Sequence, residues 1–263
     1  MSDISTLHKI FYGTLNQFYP IKYTNIKGKE FLYYQFTPTI EDLALLDFIA
    51  RKKSDYTMNA NQNAEKRSKD EKISKQFEGD LAELTVAKLL INVIGLPHDE
   101  VKWWDIERPT FETNNNTEYD VKIQQGDKEI KINVRASFYK ERRNIRHAFD
   151  TDKMDYIPKY VNSDKPIDKY DDVSIRVIYS FREDYKRSQK NIDYRELNFY
   201  DSLSKMDPNE RLSVYVLGFA PTSLIVQNLR EKNLGQQNTK YKTIHLYEGE
   251  SLSNLSEWIN KHL

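Results

Sequence analysis

Residues 118–138 read Glu118-Tyr119-Asp120-Val121-Lys122-Ile123-Gln124-Gln125-Gly126-Asp127-Lys128-Glu129-Ile130-Lys131-Ile132-Asn133-Val134-Arg135-Ala136-Ser137-Phe138. Two alternating runs flank a glycine-bearing turn, which predicts a β-hairpin with strands at 118–124 and 129–138. On the second run Glu129, Lys131, Asn133 and Arg135 share one face, while Ile130, Ile132, Val134 and Ala136 share the other. One side is therefore suited to packing and the opposite side carries polar groups. If the strands pair about the 125–128 turn, Asp120 falls beside Asn133.

Upstream, Phe77, Leu81, Leu84, Ala87/Lys88 and Leu89/Leu90 recur at helical spacing, with Val86 widening the apolar face. This predicts a helix over 77–94, ended by Gly95-Leu96-Pro97. Residues 101–106, with Trp103 and Trp104, read as a short strand or a docking loop. Downstream, 173–179 and 212–220 are strands, Pro221-Thr222-Ser223 opens a helix to about residue 231, and 243–247 is a last strand. It precedes an amphipathic tail of Leu252, Leu255, Trp258, Ile259 and Leu263. Near the N-terminus, Thr39 caps a helix over 40–53 whose first turn carries Glu41 and Asp42, with Leu43, Leu46 and Ala50 on one face. This order of elements predicts an α/β (α+β) fold, a mixed central sheet flanked by helices. Residues 52–74 are polar and aperiodic, a solvated helix extension or a linker. The chain accordingly divides into an N-terminal helical, aromatic extension with linker, 1–74, and a core domain, 75–263.

Forty Lys and Arg balance forty Asp and Glu over 263 residues, so the whole molecule has no field to draw it to nucleic acid or an anionic membrane. Any such attraction must be local. Two stretches qualify: 51–75 has eight basic residues against four acidic, and 131–146 has six against one, including Lys140, Arg142, Arg143 and Arg146. Each reads either as a solvated charged segment or as a contact to a phosphate backbone. The absence of cysteine excludes a disulfide framework, a thiolate zinc site and a cysteine nucleophile, and is compatible with a reducing cytosol. The N-terminus lacks the basic segment and apolar core of a signal peptide, and no long apolar run occurs. A cytoplasmic protein with no membrane partner is expected. The five histidines lack metal-ligand spacing, and no phosphate-binding loop, dinucleotide fingerprint or nucleophile elbow is present.

Hydrolysis of a phosphodiester needs a cation on the non-bridging oxygens, an activated water and support for the leaving oxyanion. Hard magnesium takes oxygen ligands, so carboxylates and a main-chain carbonyl suffice. Taken alone, Glu83 reads as a solvated helix residue and Asp120 as a turn charge. Their order along the chain joins them: a helix acid, a strand-end Asp, then a polar pair two residues apart on the next strand.

The segments Gly79-Asp80-Leu81-Ala82-Glu83, Tyr119-Asp120-Val121 and Ile132-Asn133-Val134-Arg135-Ala136-Ser137 resemble the PD-(D/E)xK nuclease core. The strand Tyr215-Val216-Leu217-Gly218-Phe219 and the helix after it are similar to the closing part of that core. The resemblance covers about residues 75–230. It implies a restriction-endonuclease-like sheet and a DNA endonuclease dependent on Mg (or Mn), of restriction, repair or phage-encoded type. Glu83, Asp120 and the backbone carbonyl of Val134 would be metal ligands, Asn133 would complete or tune the site, and Arg135 would stabilise the phosphate. The implied partner is nucleic acid, DNA above all, and cutting as a homodimer is compatible with it. Two positions depart from the family pattern: Asn133 stands where an acid belongs and Arg135 where a lysine belongs. Asn is a weaker, neutral ligand, and Arg is too basic to serve as a general base. Glu118, Lys122, Glu129 and Lys131 are alternative site groups. Glu129-Ile130-Lys131 restores the acid-x-lysine spacing but lies about 7 Å along the strand from Asp120. The alternative reading is a nuclease fold without catalysis, serving as a nucleic-acid-binding or protein-interaction module.

Overall fold

The computed structural model describes residues 4–56, 68–108, 111, 119–138, 145–151, 154–160, 171–181, 212–228, 230–233 and 240–263. The first half contains α1 (Ile4–Gly13), β1 (Gln17–Thr24), β2 (Glu30–Thr37), α2 (Ile40–Ser54), α3 (Lys69–Leu89) with a π-helical turn at Leu90–Ile94, β3 (Val101–Trp103) and α4 (Trp104–Glu107). There follow β4 (Val121–Gln125), β5 (Lys128–Phe138), β6 (Asp155–Tyr160), β7 (Val173–Phe181), β8 (Leu212–Pro221), α5 (Thr222–Gln227), β9 (Arg230–Asn233), β10 (Lys240–His245) and α6 (Leu255–His262).

The fold is mixed α/β. Seven strands form one sheet in the order β1-β2-β8-β7-β5-β4-β3, and three form a second, β6-β10-β9. Within the large sheet β5 and β7 run parallel and the other pairs antiparallel. The hairpin has the register its turn dictates, with Gln125 opposite Lys128 and Val121 opposite Ile132. Gly126, at φ 57, makes the turn. The ladder stops one pair short of Asp120 and Asn133. Beyond it β5 continues beside β7 alone, and the Asp120 side chain accepts the Val134 amide at 2.8 Å.

The alternation of β5 separates two cores. Ile130, Ile132 and Val134 join Val121, Ile123, Val173, Ile175 and Val177 beneath α2 and α3. On the opposite face the large sheet meets the small one, where Tyr33, Ile178 and Leu217 pack with Phe149, Met154, Tyr156 and Ile244. From Asp80 onward α3 is buried nearly all round, since Leu81, Leu84, Val86 and Ala87, with Phe77 before them and Leu90 just after the helix, are enclosed between the sheet and the N-terminal helices. Each such large side chain contributes roughly 1.5–3 kcal/mol by leaving water.

Several expected boundaries move. The helix expected over 77–94 begins at Lys69, because Ser68 and Glu71 form a capping box that starts it before its apolar stripe. Of the polar stretch 52–74, residues 52–54 end α2 and 69–74 open α3, while 57–67 lie outside the described residues. α2 buries Asp42, Leu45, Leu46, Ile49 and Ala50, and Leu43 is only partly buried. The stretch 101–106 divides into a strand and the start of a helical turn. The helix expected to reach 231 stops at Gln227, after which β9 pairs with β10. Residues before 57 supply two strands of the large sheet, through the β2–β8 pairing, and part of its core. Among the described residues, no helix is long and apolar enough to cross a membrane.

Candidate acidic centre

Four elements meet where β3 and β4 end beside α3. α3 places Asp80 and Glu83 one turn apart on the same side of the helix. The turn that follows Trp103 brings Asp105 to them. Carboxylate oxygens of Asp80, Glu83 and Asp105 all lie within 4.8 Å of one another. The last turn of α2 adds Lys53, whose ammonium is 2.6 Å from Asp80 Oδ1 and 2.6 Å from Asp105 Oδ2. Arg108 Nη1 reaches Asp105 Oδ1 at 3.1 Å. The indole Nε1–H of Trp103 donates to Glu83 Oε2 at 2.9 Å, fixing the free end of that side chain. Asp80 and Asp105 are buried and Glu83 partly so.

These groups set one another's protonation. Burial alone would lower the Lys53 ammonium, but Asp80, Asp105 and Glu83 outweigh it and hold Lys53 above its ordinary value. Burial, with the Asp105 charge adding to it, pushes Asp80 well above the usual carboxylate range despite Lys53. Burial would also raise Asp105, yet Lys53, Asp80 and Arg108 keep it below its ordinary value. The shared lysine thus draws the two carboxyls in opposite directions, Asp80 up and Asp105 down. Glu83 is raised by burial and next by the charge of Asp120.

That coupling brings Asp120 into the centre. It lies just before β4, where the hairpin ladder ends. Burial raises its carboxyl, opposed by Arg135 and by the Val134 amide. Glu83 and Asp120, from different elements and 37 positions apart in sequence, therefore face one electrostatic centre, with Arg135 as a positive neighbour. Asn133 points to Asp171, its Nδ2 3.4 Å from Asp171 Oδ2, and its Oδ1 is buried without a hydrogen-bond partner. The backbone of Val134 meets Asp120 through its N–H.

The alternative groups lie elsewhere on the hairpin. Glu129 pairs with Lys122 at 3.4 Å and with Lys131 at 3.2 Å, and both lysines hold it below the usual carboxylate range even though burial works the other way. Glu118 falls outside the described residues, as do Lys140, Arg142 and Arg143. Arg146 is exposed, with its guanidinium 5.7 Å from the Tyr23 ring centroid.

Asp80, Lys53, Asp105 and Arg108 are members the motif reading did not select. Two of them left a trace in the sequence. Asp80 interrupts the apolar stripe of Phe77, Leu81 and Leu84, and Lys53 continues that of Leu46 and Ile49. A charge at a core position requires a buried partner. Asp105, on a four-residue helical turn, has no such periodicity around it.

The triad Asp80, Glu83 and Asp105 can hold a metal ion. Hard divalent cations take oxygen ligands at about 2.0–2.6 Å, so oxygens spaced as these are can share one ion. Asp80 Oδ2 is buried and has no hydrogen-bond partner. No family model, curated protein or solved structure matches the chain.

Proposed function

We propose that the acidic centre is a divalent-cation site for hydrolysing phosphodiester bonds in nucleic acid, DNA foremost, with magnesium or manganese as the ion. The observation that carries this reading is the cluster of Asp80, Glu83 and Asp105, whose carboxylate oxygens all lie within 4.8 Å of one another, with the charge of Asp120 close enough to raise Glu83. Four carboxyl groups, Asp80, Glu83, Asp105 and Asp120, surround three fixed cations, Lys53, Arg108 and Arg135. The carboxyl groups outnumber the cations, and Asp80 Oδ2 is buried with no hydrogen-bond partner.

Asp80, Glu83 and Asp105 would hold the ion, which when bound polarises a phosphoryl oxygen and acidifies a bound water. The chain's own groups divide the remaining work. Burial and the Asp120 charge raise Glu83 above its ordinary value, the direction that suits a carboxylate accepting a proton from an attacking water. Lys53 is held charged by two carboxylates and contributes positive potential, not proton abstraction. Arg135 would support the phosphate.

A second reading has its own observation. The Lys53 ammonium already sits 2.6 Å from both Asp80 and Asp105, in the place of a bridging cation, and Asn133 stands where the nuclease pattern has an acid. A nuclease-like fold that binds nucleic acid or a protein without cutting fits this arrangement. Incubation with single- and double-stranded DNA and RNA in magnesium or manganese separates the two. Hydrolysis that falls by about 100-fold or more in Glu83→Gln and Asp120→Ala supports the first. Hydrolysis surviving in both variants overturns the site. No hydrolysis of any substrate, together with a Lys53→Met variant that alone gains thermal stability from manganese, establishes the lysine as a substitute cation and the second reading.

A further inference from the structure

Arg135 of β5 and Arg176 of β7 are partners in the parallel ladder, so their side chains leave one face of the sheet from backbones about 4.8 Å apart. The next residue across, Gly218 of β8, is the partner of Arg176. Tyr156, from the small sheet, occupies the space its missing side chain leaves. A Cβ on Gly218 would lie 2.7 Å from the Tyr156 hydroxyl, and one on Gly249 would lie 2.4 Å from its ring. Two guanidinium groups and a phenol thus form a row between the two sheets.

The row is rich in donors that have nothing to bind. Arg176 and Tyr156 are 6% and 1% exposed. Arg176 uses Nη2 on the Ser137 hydroxyl and on Met154 Sδ, the latter a weak acceptor at 3.8 Å. Its Nε, the Nε of Arg135 and the Tyr156 hydroxyl are buried with no hydrogen-bond partner. Of the nearby carboxylates, Asp155 lies 2.9 Å from His245 Nδ1 while its charge also acts on Arg176, and Asp120 accepts the Val134 amide. An unsatisfied buried donor costs about 1–3 kcal/mol, and two like charges on neighbouring strands add repulsion. A group that only accepts hydrogen bonds and carries negative charge relieves both. A water molecule fits less well, because it brings two hydrogens of its own that need acceptors.

We propose that Arg135, Arg176 and Tyr156 bind a tetrahedral oxyanion, a phosphate group supplied by the end of a nucleic-acid strand or free in solution. Entry is from the β5 side, where Arg135 is partly exposed. A terminal phosphate can enter there, whereas an internal diester would have to carry its chain between the sheets, past Met154 and Tyr156. The proposal stands on the geometry of the row and does not require the acidic centre to hydrolyse anything.

Titration of the full chain with inorganic phosphate in EDTA, followed by calorimetry and thermal unfolding, tests it. Saturable binding of one phosphate and a raised Tm are expected. Tyr156→Phe removes one hydroxyl and keeps the ring, and is expected to weaken binding several-fold. Arg176→Lys keeps the charge but loses the planar fork, and is expected to weaken it by about tenfold or more. Oligonucleotides differing only in a 5′-phosphate or a 5′-hydroxyl then identify the source. Tighter binding of the phosphorylated strand, competed by phosphate, marks a strand end, and equal binding with phosphate still bound marks the free ion. No saturable phosphate binding, or binding unchanged in both variants, overturns the proposal. EDTA removes divalent cations, so this failure is distinguishable from failure of the hydrolytic reading.

Discussion

Glu83 is the residue on which stability and chemistry oppose one another most directly. Its folded-state carboxyl is raised above the ordinary value, first by burial and then by Asp120. As pH rises above the ordinary carboxylate range the unfolded chain gives up this proton before the folded one does, so the group penalises folding increasingly toward neutrality. Glu83→Gln removes the charge while retaining an oxygen for the Trp103 indole. The variant is expected to be more stable than wild type by on the order of 1–2 kcal/mol at pH 7–8, with the gap closing near pH 4. Thermal melts across that range check this, and a gap independent of pH would contradict the assignment. Asp105 behaves oppositely. Its carboxyl is held low by Lys53 against burial, so its contribution is present above the ordinary carboxylate value and disappears as pH falls through the folded value.

Among the elements, α1 and α3 are joined by a buried lysine. Lys88 of α3 donates to the carbonyls of Phe11 and Thr14 at the C-terminal end of α1, where helical carbonyls otherwise lack partners. Burial lowers its ammonium to about 8, with Asp42 opposing. Between about 8 and its ordinary value of 10.5 the unfolded chain holds a proton that the folded chain has released, so this group makes stability rise with pH through that window. Denaturant unfolding at pH 7 to 10 is expected to show that slope in wild type and its loss in Lys88→Met. The capping box of Ser68 and Glu71 explains why α3 outran the apolar stripe that announced it. A cap starts a helix by satisfying backbone donors, whatever hydrophobic face follows.

At the scale of the whole molecule, the central feature is how the N-terminal segment enters the sheet. Phe11, Phe31, Tyr33 and Phe36 are each no more than 1% exposed, and β2 covers an edge of β8 that would otherwise be open. Deletion of residues 1–38 is expected to abolish cooperative unfolding, as read by circular dichroism and heat, because it removes buried aromatic area and exposes a hydrophobic strand edge. A truncated chain that still melted cooperatively would show that the remaining fold stands without α1, β1 and β2. Composition could not reveal this integration. The polar stretch after Arg51 reads as a boundary in one dimension, yet α2 and α3 on its two sides share one core.

The hairpin and its register were legible because they are local. Two-residue alternation and a glycine turn fix which residues oppose one another, and Val121 opposite Ile132 follows from the turn alone. The strand positions of β7 and β8 and the helical character of α2 and α3 were readable for the same reason. The acidic centre was legible only in part. Glu83 and Asp120 stand in ordered segments, but Lys53 reaches Asp80 across 27 positions and Asp105 across 52, distances over which no periodicity operates. The side-by-side arginines are a further case, since a parallel β5–β7 pairing and the missing side chain of Gly218 bring together residues that no motif relates. Sequence by itself determined which segments are strands and helices and which face of each is apolar, since backbone geometry imposes that pattern residue by residue. Tertiary structure alone decided which buried charges meet, because a charge withdrawn from water must find its counterpart in space, wherever the chain happens to carry it.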